Sequence, residues 1–156
     1  MTNILPAAGR RDGLKLAIVE DEVILAMALT LMLEDWGHEV VGTADTEAAA
    51  VALVASERPD AVLMDIRLGR KESGLNAARV IRETSDIPIV FCTAYADSPP
   101  IQAEVRTVEN AHLVGKPVDE EHLEWLLRRI EERRRKASTA SPFVSATPAV
   151  LQPSST

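Results

Sequence analysis

Short runs of apolar residues alternate along this chain with longer stretches in which apolar side chains recur every three or four positions. The short runs are typical of buried strands, and the longer period is typical of amphipathic helices. Strands that alternate with helices in this way favour a parallel sheet covered on both faces, which is a three-layer α/β/α sandwich. The predicted strands span residues 14–19, 38–42, 60–64, 87–92 and 112–114, and the predicted helices span about 22–36, 46–57, 74–83, 101–108 and 119–136.

The two ends of the chain lack this pattern. Residues 1–13 have no clear period and are broken by Pro6 and Gly9, which predicts a flexible N-terminal arm. Residues 137–156 carry no charged side chain and are rich in Ala, Ser, Thr and Pro, which predicts a disordered tail without an effector domain. A single domain is therefore expected between residues 14 and 136.

Charge and composition exclude several classes of protein. A net charge of −7 and a pI near 5.0 argue against direct DNA binding, which needs many cationic contacts to phosphate. No stretch approaches the roughly 20 apolar residues of a membrane span, and residues 1–13 lack a charged start followed by an apolar core, so we do not expect export. The single cysteine, Cys92, lies in an apolar run, so we expect a buried thiol and a cytoplasmic protein.

Polar residues that can support chemistry follow four of the predicted strands. Asp65 closes one apolar run, Glu20 and Asp21 follow the first strand, Thr93 follows the fourth and Lys116 the fifth. The carboxyl ends of parallel strands meet at one edge of a sheet, where such folds bind their ligands. These side chains are therefore predicted to form one site.

The acidic members of this set predict a metal ion. Three carboxylates that lie close together repel one another unless a cation neutralises them. Mg²⁺ takes one or two protein carboxylates and completes its octahedron with water and phosphate oxygens. We expect Asp21 and Asp65 to bind Mg²⁺ directly, Glu20 to act mainly through water, and the backbone carbonyl of Arg67 to supply one more oxygen.

The same residues predict phosphoryl transfer. An ionised Asp65 can attack a phosphoryl group in line and form an acyl phosphate, while Lys116 stabilises charge on the equatorial oxygens. Thr93 can then donate its hydroxyl to a phosphoryl oxygen. Movement of that hydroxyl would change the packing of the strand and helix around it.

Each residue taken separately also has a structural interpretation. Glu20 and Asp21 could cap the first helix, Asp65 could be an ordinary loop acid, Thr93 is common in strands, and Lys116 could simply lead into a helix. All of them at successive strand ends favour the functional interpretation.

The order of these residues resembles the receiver domains of two-component response regulators, over residues 14–136. The resemblance implies the flavodoxin-like (βα)5 fold, with a five-stranded parallel sheet. It is carried by the acidic pair Glu20-Asp21, by Asp65, by Ser73-Gly74, by Thr93-Ala94 and by Lys116-Pro117.

By this resemblance, Asp65 is the phosphoacceptor, Glu20 and Asp21 hold Mg²⁺, Thr93 is the switch hydroxyl and Lys116 contacts the phosphoryl group. The expected donor is a phosphohistidine on a histidine kinase or a histidine phosphotransfer protein. The chain would then catalyse only its own phosphoryl transfer and autodephosphorylation, and would signal through contacts with a downstream protein.

Two features differ from the usual pattern of the family. Leu113 stands where many members carry the aromatic residue that moves with the threonine, and Tyr95 resembles the aromatic of a subset of stand-alone receivers. We therefore expect Tyr95 to take part in switching. Pro99 and Pro100 can open a helix but cannot lie inside one, which predicts a short fourth helix and a soft output face.

Two other functions share some of these features. A Mg²⁺-dependent phosphohydrolase with an aspartyl phosphate intermediate would carry its nucleophile, and a second Asp two residues later, after the first strand. The adjacent pair Glu20-Asp21 at that position disfavours this function. A degenerate receiver used only for binding would have lost Asp65 or Lys116, and both are present.

The apolar stripes around Trp36 and Trp125 predict core positions, or in part a face for a homodimer.

Overall fold

The structure is a computed structural model that describes residues 13–140. Its main sheet has five strands, all parallel, in the order β2-β1-β3-β6-β7. The elements are β1 (Lys15–Val19), α1 (Val23–Asp35), β2 (Glu39–Ala44), α2 (Glu47–Glu57), β3 (Ala61–Asp65), β4 (Arg67–Leu68), β5 (Glu72–Ser73), α3 (Gly74–Arg82), β6 (Ile89–Thr93), α4 (Pro99–Arg106), β7 (Ala111–Gly115) and α5 (Glu120–Ala140). The predicted flavodoxin-like sandwich is confirmed.

The sheet has a hydrophobic core on each face because alternate strand residues point to opposite sides. In β3, Val62 and Met64 pack with α2, α3 and α4, whereas Ala61 and Leu63 pack with α1 and α5. Cys92 is in the second core, and burial raises the pKa of its thiol to about 12. The prediction of a buried thiol is therefore confirmed.

The end of α1 shows how a single glycine fixes the start of the next strand. Gly37 has φ +93, a conformation that side chains with a Cβ rarely adopt. The Gly37 N–H donates to the Glu34 carbonyl, and the His38 N–H donates to the Leu33 carbonyl, both at 3.0 Å. This is the Schellman arrangement, with Gly37 as the left-handed residue that follows the end of the helix.

Several boundaries differ from the predicted ones. The pattern missed the antiparallel hairpin of β4 and β5, whose strands have two residues each. Helix α4 starts at Pro99, so both prolines lie in its first turn, and its eight residues confirm a short helix. Helix α5 continues to Ala140, so the first residues of the predicted disordered tail are helical. The remaining tail and residues 1–12 lie outside the described range.

For Trp125 the stripe predicted a core position or part of a homodimer face, and the core position is wrong, because 52% of its surface is exposed. Its indole ring lies beside the guanidinium of Arg129, with 4.8 Å from the ring centroid to Cζ. Trp36 is partly buried and packs against the core, as the stripe predicted. Within residues 13–140, no helix has the length and apolar character needed to cross a bilayer.

Candidate functional site

Three carboxylates meet at the carboxyl edge of the sheet. Glu20 and Asp21 follow β1, and Asp65 ends the neighbouring strand β3. One carboxylate oxygen from each of these residues can be chosen so that all lie within 4.8 Å of one another. Glu20 is almost fully buried, with 4% of its surface exposed. The predicted acidic cluster is therefore present as one group.

Lys116 lies between two of these carboxylates. Its Nζ atom is 2.8 Å from Oε2 of Glu20 and 2.9 Å from Oδ2 of Asp65. The backbone N–H of Lys116 also donates to the carbonyl of Thr93 at 2.8 Å. The residue that follows β7 is therefore hydrogen-bonded to the last residue of β6, at the edge of the sheet where the site lies.

The protonation equilibria of this group are coupled. Burial raises the pKa of Glu20, the charge of Asp65 adds to the rise, and the hydrogen bond from Lys116 only partly opposes it. Burial alone would lower the pKa of Lys116, but hydrogen bonds to Glu20 and Asp65 outweigh it and leave that pKa above 10.5. The lysine therefore stays charged at neutral pH and supplies the positive charge that the carboxylates need.

The β4–β5 hairpin closes one side of the site through backbone donors. The N–H of Arg67 donates to Oδ1 of Asp65 at 3.1 Å, and the N–H of Gly69 donates to Oδ2 of Asp21 at 3.0 Å. Oε1 of Glu47, at the start of α2, accepts from the N–H of Ser73 at 2.6 Å. The hairpin is thus fixed both to the acid cluster and to a neighbouring helix.

Gly74 allows α3 to begin directly against the phosphoacceptor candidate. A Cβ at this position would be 1.9 Å from the carbonyl oxygen of Asp65 and 2.8 Å from Cγ of Met64. Only glycine permits this close approach. The sequence pattern gave Gly74 no such role, because the contact depends on how the helix meets the strand.

Thr93 is buried at the end of β6, the strand next to β3. Its Oγ accepts a hydrogen bond from the N–H of Tyr95 at 3.1 Å. Cys92 pairs with Asp65 across the two strands, so Thr93 lies one residue further toward the site. The strand ends thus bring Asp65, Thr93 and Lys116 to one edge of the sheet, as predicted.

The two remaining switch candidates differ in burial. Tyr95 is 51% exposed, and the Cζ atom of Arg67 lies 4.7 Å from the centroid of its ring. Leu113 is partly buried and packs against the core beneath α2, α3 and α4. The contact between Arg67 and Tyr95 was not predicted, because Arg67 lies in the hairpin after β3 and Tyr95 in the loop after β6.

An unusually apolar surface lies next to the acid cluster. Residues 23–33 of α1 contain no charged side chain. A cleft of about 460 Å³ runs from Glu20 and Asp21 along this helix. Exposed apolar patches of this kind mark interaction surfaces. The exposed fractions are 70% for Val23, 81% for Ile24, 61% for Met27 and 68% for Leu31.

Comparison with known proteins agrees with this geometry. The family described as "Response regulator receiver domain" matches residues 16–128. The phyllosphere-induced regulator PhyR of Methylorubrum extorquens is 32% identical over 148 residues, which cover 88% of this chain and 54% of that protein.

Two solved structures have the same fold. The anti-anti-sigma factor PhyR from Bartonella quintana has a TM-score of 0.71 at 31% identity, covering 82% of this chain and 51% of that one. The N-terminal domain of a three-domain response regulator from Carboxydothermus hydrogenoformans has a TM-score of 0.66 at 33% identity, covering 80% and 98%. This chain spans about half the length of the PhyR proteins that it matches. With the family matched over most of its length, the chain belongs to the receiver domains of response regulators.

Proposed function

We propose that this chain is a phosphoacceptor that takes a phosphoryl group on Asp65 from a phosphohistidine of a histidine kinase or histidine phosphotransfer protein. The observation that carries the proposal is the shared pocket of Asp65 with Glu20, Asp21 and the ammonium group of Lys116. A structural salt bridge would need one carboxylate for one lysine. Here Lys116 pairs with Glu20 and Asp65, and a third carboxylate, that of Asp21, lies within 4.8 Å of those two, which is the arrangement expected of a site that binds further positive charge.

The proposed transfer is a single displacement at phosphorus. A carboxylate oxygen of Asp65 forms a bond to phosphorus, while the bond from phosphorus to the donor's imidazole nitrogen breaks. The leaving nitrogen keeps the electron pair of that bond. Lys116 Nζ, 2.9 Å from Oδ2 of Asp65, would hold the transferred group by donating to one of its oxygens. Hydrolysis by water would later regenerate the Asp65 carboxylate.

The proposed cofactor is Mg²⁺, held by Asp21 and Asp65, with Glu20 acting through water and the Arg67 carbonyl as a further oxygen. The donor set fits, because all three carboxylates can present an oxygen within 4.8 Å of the others and hard oxygen ligands suit this ion. When bound, Mg²⁺ neutralises charge on the phosphoryl oxygens. The contribution of the Arg67 carbonyl stays a prediction.

The proposed switch is a rearrangement of Thr93 and Tyr95. In this structure Thr93 Oγ accepts from the backbone N–H of Tyr95, so its own proton is free to be donated to a phosphoryl oxygen. Rotation toward the phosphoryl group would break that bond and loosen the loop before α4. Leu113, which packs in the core under α4, would repack with it. The altered surface would bind a downstream protein.

The apolar face of α1 is the proposed docking surface for the protein that donates the phosphoryl group. It begins beside Glu20 and Asp21, so a helix laid along it would bring a histidine side chain to Asp65.

The proposal further includes a cytoplasmic location, supported by the single buried cysteine, and no catalysis beyond the chain's own phosphoryl transfer and autodephosphorylation. A homodimer stays a prediction.

Acetyl phosphate with Mg²⁺ tests this proposal without a partner protein. Intact-mass measurement should show one added phosphoryl group on the wild type and none on Asp65→Asn. Asp97→Asn is a suitable control, because it removes an exposed carboxylate from the loop after β6. Equal labelling of wild type and Asp65→Asn would overturn the proposal.

A further inference from the structure

A cation–π contact joins the segments that follow β3 and β6, the two strands that end at the phosphoacceptor and at the switch hydroxyl. The Cζ atom of Arg67 lies 4.7 Å from the ring centroid of Tyr95. The backbone N–H of Arg67 donates to Asp65, and the backbone N–H of Tyr95 donates to Thr93. Each partner is therefore attached by its own backbone to one of the two groups that must respond to phosphorylation.

The guanidinium of Arg67 has an unusual position in such an acidic site. Among residues 13–140 it has no ion pair or hydrogen bond to a carboxylate, although Asp65 is two residues away. Its contact is the face of the Tyr95 ring instead. An exposed cation–π contact is weak, so the guanidinium remains available to a stronger acceptor.

The backbone below this guanidinium is held more firmly than the side chain. Gly69 donates to Asp21, and Ser73 donates to Glu47, so the turn and the second strand of the hairpin are hydrogen-bonded to other parts of the domain. Arg67 and Tyr95 are themselves exposed. The side chains can therefore change partner while the hairpin stays in place.

We propose that Arg67 is a phosphoryl-positioning residue whose guanidinium leaves the Tyr95 ring and binds an oxygen of the phosphoryl group on Asp65. This inference rests on the proposed function. A phosphoryl group carries close to two negative charges, and arginine donates charge-assisted hydrogen bonds to it that are stronger than an exposed contact with an aromatic face. Tyr95 is released by the same exchange, which couples the arrival of the phosphoryl group to the loop before α4.

The two halves of the contact should have opposite effects on phosphorylation. Arg67→Gln removes a donor to the transferring group, so labelling by acetyl phosphate should slow by about tenfold. Tyr95→Leu removes the competing ring and frees the guanidinium, so labelling should accelerate by about threefold. If the contact only supported the fold, loss of either partner would act in the same direction.

Two controls distinguish the effect of the contact between Arg67 and Tyr95 from a general effect of lost charge or a changed side chain. Arg70→Gln removes an equal charge from the same hairpin at an exposed residue and should leave the labelling rate within about twofold of wild type. Tyr95→Phe keeps an aromatic face for Arg67 and should therefore not show the acceleration expected of Tyr95→Leu. Circular dichroism and thermal unfolding of each variant verify that it is folded.

The exchange itself can be observed because Tyr95 is the only tyrosine in the chain. Incorporation of 3-fluorotyrosine gives one ¹⁹F resonance, and Arg67→Gln should shift it in the unphosphorylated protein. Phosphorylation of the wild type with acetyl phosphate and Mg²⁺ should move the resonance toward its position in Arg67→Gln. The phosphorylated Arg67→Gln protein should show a much smaller movement.

The experiments distinguish failure of the proposed function from failure of the role proposed for Arg67. If Asp65 takes up no phosphoryl group, the proposed function is wrong and this inference falls with it. If Asp65 is labelled but Arg67→Gln and Tyr95→Leu change the rate in the same direction, or neither changes it, only the role of Arg67 is overturned. A wild-type resonance that does not move on phosphorylation would also overturn it.

Discussion

Lys116 Nζ lies 2.9 Å from Oδ2 of Asp65, although 51 residues separate them in the sequence. The same nitrogen lies 2.8 Å from Oε2 of Glu20. One ammonium group therefore neutralises part of a cluster that contains three carboxylates. In the absence of a bound metal ion, the stability of the folded site should therefore depend on Lys116.

Lys116→Met tests this dependence. In Mg²⁺-free buffer the substitution should lower the free energy of unfolding by about 2 kcal/mol, since it leaves two largely buried carboxylates without their partner. Added Mg²⁺ should restore part of that loss, and denaturant unfolding with and without Mg²⁺ measures both effects. Lys71→Met, at an exposed hairpin residue, should change stability by less than about 0.5 kcal/mol. An equal effect of both substitutions would contradict the structural role of Lys116.

The raised pKa of Glu20 gives a pH dependence with a definite sign. Burial, the largest cause, raises this pKa above 4.5, so the folded state favours the protonated form. The associated stability is fully present below pH 4.5 and is lost as the pH rises through the folded-state pKa.

Glu20→Gln imitates the protonated form and removes this dependence. Without divalent cations, the variant should be more stable than wild type at neutral pH, and the two should converge below about pH 4.5. Thermal unfolding across this pH range measures the difference. A wild type that is the more stable protein at neutral pH would show that the contact with Lys116 outweighs burial.

Gly74→Ala should disturb the site through the backbone of Asp65. Its Cβ would meet the Asp65 carbonyl at 1.9 Å, so the strand end or α3 has to move. We expect a loss of about 1–3 kcal/mol in stability and slower labelling by acetyl phosphate. Gly115→Ala is a matched control, because its Cβ would lie at an ordinary 3.7 Å from the Cβ of Ala96. Similar losses in both variants would mean that close packing on Asp65 is not the cause.

A charge on the outer face of α1 separates docking from chemistry. Ile24→Glu replaces a side chain that is 81% exposed, so the fold should be unaffected. Transfer from a phosphorylated histidine kinase or phosphotransfer protein should fall at least about tenfold, the scale of losing one interface anchor. Labelling by acetyl phosphate should stay within about twofold of wild type. Val80→Glu, on α3, is the control, and unchanged protein transfer in Ile24→Glu would reject α1 as the docking face.

The order of elements and the position of the site could be predicted because both follow from local pattern. Apolar runs mark each strand, and chain direction in a parallel sheet sends Asp65, Thr93 and Lys116 to one edge. The β4–β5 hairpin could not be predicted in the same way. Strands of two residues are too short to show a period, and the hydrogen bond from Gly69 to Asp21 joins residues that are far apart in the sequence.

The exposure of individual helix side chains was the property least predictable from the sequence. Helix α1 is apolar on nearly every side, so its sequence gives no indication that Ile24 and Met27 face outward while Leu29 and Leu33 are buried. Trp125 lies on an apolar stripe of α5 and is nevertheless half exposed. These outcomes depend on how much of each helix the sheet can cover, which is a property of the packed domain.

The most direct test of the central claim is to identify the residue that carries the phosphoryl group. After reaction with acetyl phosphate and Mg²⁺, borohydride reduces an aspartyl phosphate to homoserine, which mass spectrometry of peptides can locate. We expect homoserine at residue 65 alone, and none after omission of acetyl phosphate. Homoserine at another acidic residue, or its absence from a fully folded protein, would contradict the assignment of Asp65.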